Sequence, residues 1–361
     1  MRLAGCLLLE GVVAAGLLSA LGFAGAHAVV AVRELADARR SEPAARSPST
    51  GARSGNLALR PREELSGESD DVEVESAGTF LGMSDDLLLD RLRSQPVTRL
   101  KLNRGGSSLS FRVEFADGSR AAWKPAQTNT QTIPRKEVAA YRINRLLGLN
   151  AVPPAATRAL SRDELFGLLH PDSVASLPRI RAETIIGPNG MVAGQASYWI
   201  PVIKDSAFDT PEGHVQMADW LTQGRPVPFE QRAFAAQVAV LVVFDFLICN
   251  PDRYSGGNMK TSADGTQLYF MDNTMSFFLE PEGLEKPRTV LMRTQRFSRS
   301  FQRALGRIDD STLRRLLREP DGTEVLTDAE IRAVVRRREF IERHVAALVA
   351  QYGERDVLYF P

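Results

Sequence analysis

Asn250-Pro251-Asp252-Arg253-Tyr254-Ser255-Gly256-Gly257-Asn258, with Met271-Asp272-Asn273 a short way beyond, is the stretch on which the reading of this chain turns. Residues 229–249 precede it as a buried helix bearing Phe234, Val238, Leu241, Val242, Phe246 and Leu247. That helix should stop at Asn250-Pro251, because the residue before a proline resists the α region. A polar loop held by a rigid apolar helix is a place where a catalytic aspartate can be fixed yet exposed. Met259-Lys260-Thr261 and Gln267-Leu268-Tyr269-Phe270 flank Asp264-Gly265, a hairpin signal, and the second strand runs into Met271-Asp272-Asn273.

Phosphoryl transfer to an alcohol needs one carboxylate to accept the hydroxyl proton and another to hold the divalent metal that bridges the nucleotide phosphates. An asparagine after the first carboxylate commonly adds a metal ligand. Asp252, Asn258 and Asp272 supply those groups in that order: catalytic base, amide ligand, metal carboxylate. Either aspartate alone reads equally well as a turn residue capping its own loop. The region upstream weights the pair toward chemistry.

There, residues 97–102 form a strand candidate and Asn103-Arg104-Gly105-Gly106-Ser107-Ser108 a small-residue turn. Leu109, Phe111, Val113 and Phe115 then alternate with polar residues, the period of a strand with one buried face. Asp117-Gly118 turns the chain into a third strand, 120–124, ending in Trp123-Lys124-Pro125. This order fits an ATP-binding lobe. Backbone amides at Gly105, Gly106 and Ser107 would lie over the phosphates, and Lys124 would meet phosphate oxygens as a point charge. A Gly-Gly pair is also an ordinary hairpin turn, and Lys124 is also readable as a solvated strand-end lysine. A helix is expected over 134–147, with Pro134 in its first turn and Gly148 at its stop. Glu137 on that helix would pair with the strand lysine, or would simply favour the helix dipole. The apolar run 198–203 is a reasonable hinge between lobes.

Composition narrows the setting. The chain has 361 residues, 43% hydrophobic and 25% charged, and a formal net charge of +1, without the basic excess of a nucleic-acid binder. Six lysines stand against 39 arginines, so each lysine merits inspection. Residues 11–32 are a run of 22 broken only by Ser19 and His27. As a helix at ~1.5 Å per residue it would span about 33 Å, as a signal peptide or single-pass signal anchor does. The basic residues Arg33, Arg39 and Arg40 behind it, against Arg2 before it, tilt the positive-inside balance toward a cytoplasmic C-terminal side. Residues 41–76 read as a disordered linker, rich in Ser, Pro and Gly and then acidic.

These residues resemble the secretory-pathway kinases of the four-jointed and Golgi casein kinase group over most of 97–352. Trp123-Lys124-Pro125 looks like that family's lysine motif, and Lys136-Glu137-Val138-Ala139-Ala140-Tyr141 opens a stretch similar to its glutamate helix. Asn250-Pro251-Asp252-Arg253 resembles its catalytic loop, and Met271-Asp272-Asn273 its metal motif. The resemblance implies an α+β, two-lobed atypical kinase fold, with a small β-rich lobe and hinge at 77–203 and a mainly helical lobe at 204–361. It implies ATP with Mg or Mn, Lys124 on phosphate, Glu137 as its partner or a metal contact, Asp252 as base and Asp272 on metal. Departures are Tyr254 where histidine is frequent, Thr274 where glycine is frequent, and Cys249 with no partner for the family's paired cysteines. With the N-terminal run, the missing cysteine pairs suggest an exported or anchored kinase that folds without disulfides, as a bacterial member would.

The expected activity is transfer of the γ-phosphoryl group of ATP to a hydroxyl, of a protein Ser/Thr first and a glycan second. A nucleotide-binding pseudokinase scaffold and a phosphatidylinositol-type lipid kinase are the alternatives. Thr327-Asp328-Ala329-Glu330 is a capping box opening a C-terminal helix with Ile331, Val334, Val335, Phe340 (or Ile341), Val345, Leu348 and Val349 inward. Arg336-Arg337-Arg338 reads as its solvated face. Arg293, Arg296 and Arg299 lie where an acidic acceptor could dock.

Overall fold

The period-2 strands of the small lobe assemble as their patterning requires. In the computed structural model, which describes residues 78–254 and 257–361, five antiparallel strands form one sheet. They are β1 (Val97–Leu102), β2 (Phe111–Phe115), β3 (Arg120–Pro125), β4 (Ala155–Thr157) and β5 (Gly194–Tyr198), in the order β1-β2-β3-β5-β4. Phe111, Val113, Phe115, Ala121 and Trp123 pack into one apolar cluster, and the Trp123 indole donates to the Arg158 carbonyl at 2.9 Å. Lys124 follows Trp123 in β3, pairs in register with Gln195 and so faces away from that cluster. The apolar run 11–32 and the linker 41–76 lie outside the described residues.

The apolar run 198–203, expected as a hinge, does not form a continuous strand. β5 ends at Tyr198, and the chain resumes pairing only at β6 (Ile203–Asp205). β6 joins β7 (Met259–Ser262) and β8 (Leu268–Phe270) in a second antiparallel sheet, order β6-β7-β8. The expected Asp264-Gly265 hairpin is thus present, extended by a strand from the hinge. Pro201 explains the break, since it has no N–H to give a ladder.

Helix α1 (Asp85–Ser94) precedes the sheet, and α2 (Pro134–Leu146) follows β3 with Pro134 in its first turn. Large-lobe helices include α3 (Pro211–Leu221), α4 (Arg232–Ile248), α5 (Glu285–Arg293) and α6 (Asp328–Tyr352), the last opened by the Thr327–Glu330 capping box. Among the described residues, the stretch Phe229–Ile248 is long and apolar enough to cross a membrane, yet it is mostly buried and is the central helix of the large-lobe core. Its end is set by Cys249 in the left-handed region (φ 52°), one residue before Asn250-Pro251.

Two readings of arginines change. Arg337 is 1% exposed, donating from Nε to the Leu247 carbonyl at 2.8 Å and from Nη1 to the Phe278 carbonyl at 3.2 Å. It therefore belongs to the buried side of α6 with Ile341, not to a solvated face. Arg296 is buried with its guanidinium 4.3 Å from the Tyr359 ring, and Arg299 pairs with Glu354. Both are engaged by the C-terminal segment rather than presented to an acceptor.

The joint between β3 and β5 is tight at Gly194. A Cβ there would stand 2.7 Å from the Lys124 carbonyl oxygen and 2.7 Å from the Trp123 indole nitrogen. Gly194→Ala should therefore lower stability by ~1–3 kcal/mol, the usual range for overpacking, read as a lower urea midpoint with an unchanged slope.

Candidate active site

Elementary electrostatics requires that charges taken out of water be paired and hydrogen-bonded. The centre of this molecule meets that requirement with one continuous chain of groups. Asp245, the one carboxylate in the largely apolar α4, faces Arg253 of the loop that follows. Arg253 Nε lies 3.2 and 3.1 Å from the two Asp245 carboxylate oxygens, and Nη2 lies 3.1 Å from Oδ1. Nη2 also donates to Asn273 Oδ1 at 2.6 Å, while Nη1 donates to the Asn258 carbonyl at 3.0 Å and to the Met271 carbonyl. Asn273 in turn donates its backbone N–H to Glu137 Oε2 at 2.6 Å and its side-chain amide to Oε1 at 2.9 Å. Glu137, Asn273, Arg253 and Asp245 are 4, 0, 0 and 1% exposed.

This chain also fixes the groups expected to carry chemistry. Met271 N–H donates to the Asn258 carbonyl at 3.2 Å, so the end of β8 is bonded to the Asp252 loop. Asn250 shapes that loop: its Oδ1 accepts from the Asp252 N–H at 3.0 Å and its amide donates to Asn273 Oδ1 at 3.3 Å. Asn258 Nδ2 donates to Asp252 Oδ2 at 2.9 Å and to the Asp252 carbonyl at 3.1 Å. Asp272 follows Met271 with φ 53°, a left-handed backbone that non-glycine residues adopt sparingly and that clusters at functional sites. Its carboxylate takes Lys124 Nζ at 2.6 Å on Oδ2 and the Thr274 hydroxyl at 2.7 Å on Oδ1, and 37% of its side-chain surface stays accessible.

The expected residues thus separate into two groups. Lys124, Glu137, Asp252, Asn258 and Asp272 are joined by this one network. Glu137, however, does not take Lys124 as its hydrogen-bonded partner. Asp272 holds the lysine, and Glu137 binds Asn273, whose two donors match its two oxygens. Gly105 and Gly106 sit at the β1–β2 turn with φ 88° and 77°, which explains glycine there. No hydrogen bond among the described residues joins that turn to Lys124, Glu137 or Asp272; the Ser107 carbonyl instead accepts from Arg179 at 2.7 Å. Sequence reasoning gave no role to Asp245, Arg253 and Asn273. The available signal was an acidic residue within an apolar helix, which needs a buried partner.

Ionisation follows position. Burial, and then the neighbouring Asp272 charge, push the Glu137 carboxyl up, against the pull of Lys124 and Asn273. Burial also opposes ionisation of Asp272, but Lys124 and Thr274 outweigh it and hold that carboxyl below its usual range. Burial raises Asp245 to about 6, against the Arg253 charge.

The class defined by this architecture is the two-lobed atypical kinase fold. The fold is shared with the crystal structure of the Golgi casein kinase with Mn/ADP bound, at TM-score 0.57 and 16% identity over 76% of this chain and 78% of that one. The Golgi casein kinase structure titled without those ligands gives the same score and identity, covering 79% of that chain. The structure of hydra Fam20 with sugar matches at TM-score 0.54 and 15% identity, over 75% of this chain and 90% of that one. No protein-family model and no curated protein matches the sequence. The fold expected from the motifs is borne out.

Asp245 also sets a pH dependence. Its folded pKa lies above the ordinary value, so its contribution to stability is fully present below about 4 and is lost as pH rises through about 6. Falling pH should therefore neutralise the partner of Arg253 without loss of stability from this group. The melting temperature should not drop on this group's account as pH falls through about 6. In Asp245→Asn the part of the stability profile that turns near pH 6 should disappear, read as melting temperature against pH.

Proposed function

We propose that this chain is an ATP-dependent kinase that transfers the γ-phosphoryl group to a hydroxyl, of a protein Ser/Thr in the first place and of a glycan in the second. The observation that carries this reading is the contact between Lys124 and Asp272 beside a loop aspartate, Asp252, fixed by the same buried network. Lys124 is then positioned to exchange part of its contact with Asp272 for phosphate oxygens. Asp252 accepts the proton of the attacking hydroxyl, and Asn258 orients its carboxylate. Glu137 acts through Asn273, keeping Asp272 in its left-handed backbone.

A divalent metal fits these donors. Asp272 and Asn258 offer oxygen, the hard donor that Mg and Mn prefer, and Mg is usually held by one or two carboxylates together with phosphates. When bound, the metal would neutralise charge developing on the transferring phosphoryl. The Mn and ADP of the Golgi casein kinase structure support the same pairing of nucleotide and metal here. The N-terminal apolar run supports an exported or membrane-anchored location.

The test is label transfer from γ-labelled ATP by the full chain, with Mg or Mn, to casein, glycan and inositol-lipid acceptors. Wild type should label a protein or glycan. Asp252→Ala should lower the rate by about 10²–10⁴, the usual contribution of a general base, and Asp272→Ala should abolish transfer. Transfer surviving both substitutions, label in lipid alone, or nucleotide-dependent stabilisation without transfer would overturn the reading.

A further inference from the structure

The helix that presents Glu137 is held to the large lobe on its far side as well. Val138, Ala139, Ile143, Leu146 and Leu147 pack in the same apolar cluster as α4 and α6, rather than in the cluster of the five-stranded sheet. At the N-terminal end of α2, Arg135 grips Glu330 with both arms of its guanidinium: Nη1 to Oε2 at 2.8 Å and Nη2 to Oε1 at 3.0 Å. Nη1 also donates to the Val325 carbonyl at 2.8 Å. Lys136 Nζ lies 3.9 Å from Glu330 Oε1 and 4.7 Å from the centre of the Phe278 ring. Glu330 is 6% exposed and accepts also from the Thr327 N–H at 2.8 Å and the Thr327 hydroxyl at 2.9 Å, closing the cap of α6.

One buried carboxylate therefore fixes the start of α6 and receives the two residues that directly precede Glu137. A two-armed guanidinium–carboxylate contact fixes direction as well as distance. One turn and more further on, Arg142 pairs with Glu319 at 2.8 Å and donates to the carbonyls of Leu316 and Arg318 at 3.0 and 3.2 Å. In protein kinases the placement of the corresponding helix is a controlled step that must be completed before transfer. Here protein groups alone complete it.

We infer that Glu330 is a positioning residue for phosphoryl transfer: through Arg135 and Lys136 it locks α2 against the large lobe, so that Glu137 reaches Asn273 without any swing of the helix. The inference rests on the kinase reading for its catalytic part and on geometry alone for the lock.

Two readouts on the full chain separate these parts. Hydrogen exchange of α2 amides reports the lock, and steady-state kinetics report its catalytic consequence. In Glu330→Gln, which keeps shape and removes charge, exchange over Pro134–Leu146 should rise at least about tenfold while Arg232–Ile248 stays as in wild type. The kcat should fall about ten- to a hundredfold, as expected for a displaced catalytic constellation, with a smaller change in the KM for ATP. Glu330→Asp, which keeps the charge, should recover part of the kcat. Arg135→Gln leaves the Thr327–Glu330 cap in place and should reproduce the pattern if Glu330→Gln does not fold. Unchanged α2 exchange in the folded variants would overturn the lock. Faster exchange with wild-type kcat would overturn the positioning role. A wild-type chain that transfers no phosphoryl group would overturn the kinase reading and the catalytic part with it, and the exchange result would still decide the lock.

Discussion

The contact on which the rest of the structure depends is the ion pair between Asp245 and Arg253. A lone carboxylate on the apolar face of α4 would be prohibitively unfavourable, and Arg253 relieves it with a three-way contact at 3.1–3.2 Å. Once placed, the guanidinium has donors to spare. They capture the Asn258 and Met271 carbonyls and Asn273 Oδ1, and so bring the Asp252 loop and the Asp272 strand end to one point. Asn273 passes the constraint to Glu137 and α2. Removing Arg253, which would leave the Asp245 carboxylate buried and uncompensated, typically costs ~3–5 kcal/mol, whereas exposed pairs such as Arg314–Asp328 add little. The interior network, not the many surface pairs, therefore holds the Asp252 loop and the Asp272 strand end together.

Use of the two basic residue types follows from this. Arginine does much of the buried structural work: Arg253 at the centre of the network and Arg337 behind α4. Its planar fork can hold several acceptors at once and stays charged when desolvated. Lysine is buried too, as Lys136 is beside Glu330, but it is Lys124 that meets Asp272. Lys124 holds Asp272 Oδ2 at 2.6 Å, and Thr274 steadies the other carboxylate oxygen. A glycine at that position would have no hydroxyl to do so. Tyr254, in the position where histidine is frequent in the resembled family, meets His214 edge-on at 5.8 Å between ring centres and takes no part in the network described.

Much of this was legible in the sequence wherever local patterning decides structure. Alternation from Phe111 to Phe115, Pro134 at the start of a helix, Asp264-Gly265 in a hairpin and the Thr327–Glu330 cap all appear as their chemistry requires. The order lysine, glutamate, aspartate, aspartate was enough to anticipate the fold. What local pattern could not reveal was partner choice. Glu137 could satisfy its charge with Lys124 or with Asn273, and only the assembled geometry offers two matched donors on Asn273. The same holds for Arg337, read as solvated, and for Arg296 and Arg299, read as facing an acceptor, until a distant carbonyl, ring or carboxylate is brought beside them.

The central claim is that Glu137 and Asp245, which do not touch, act as the two ends of one buried chain through Asn273 and Arg253. A double-mutant cycle on urea unfolding, with Glu137→Gln, Asp245→Asn and the two combined, measures it most directly. Groups in one network typically couple by ~0.5–3 kcal/mol, and the account predicts a coupling in that range. Additivity within about 0.3–0.5 kcal/mol, the behaviour of independent sites, would contradict it.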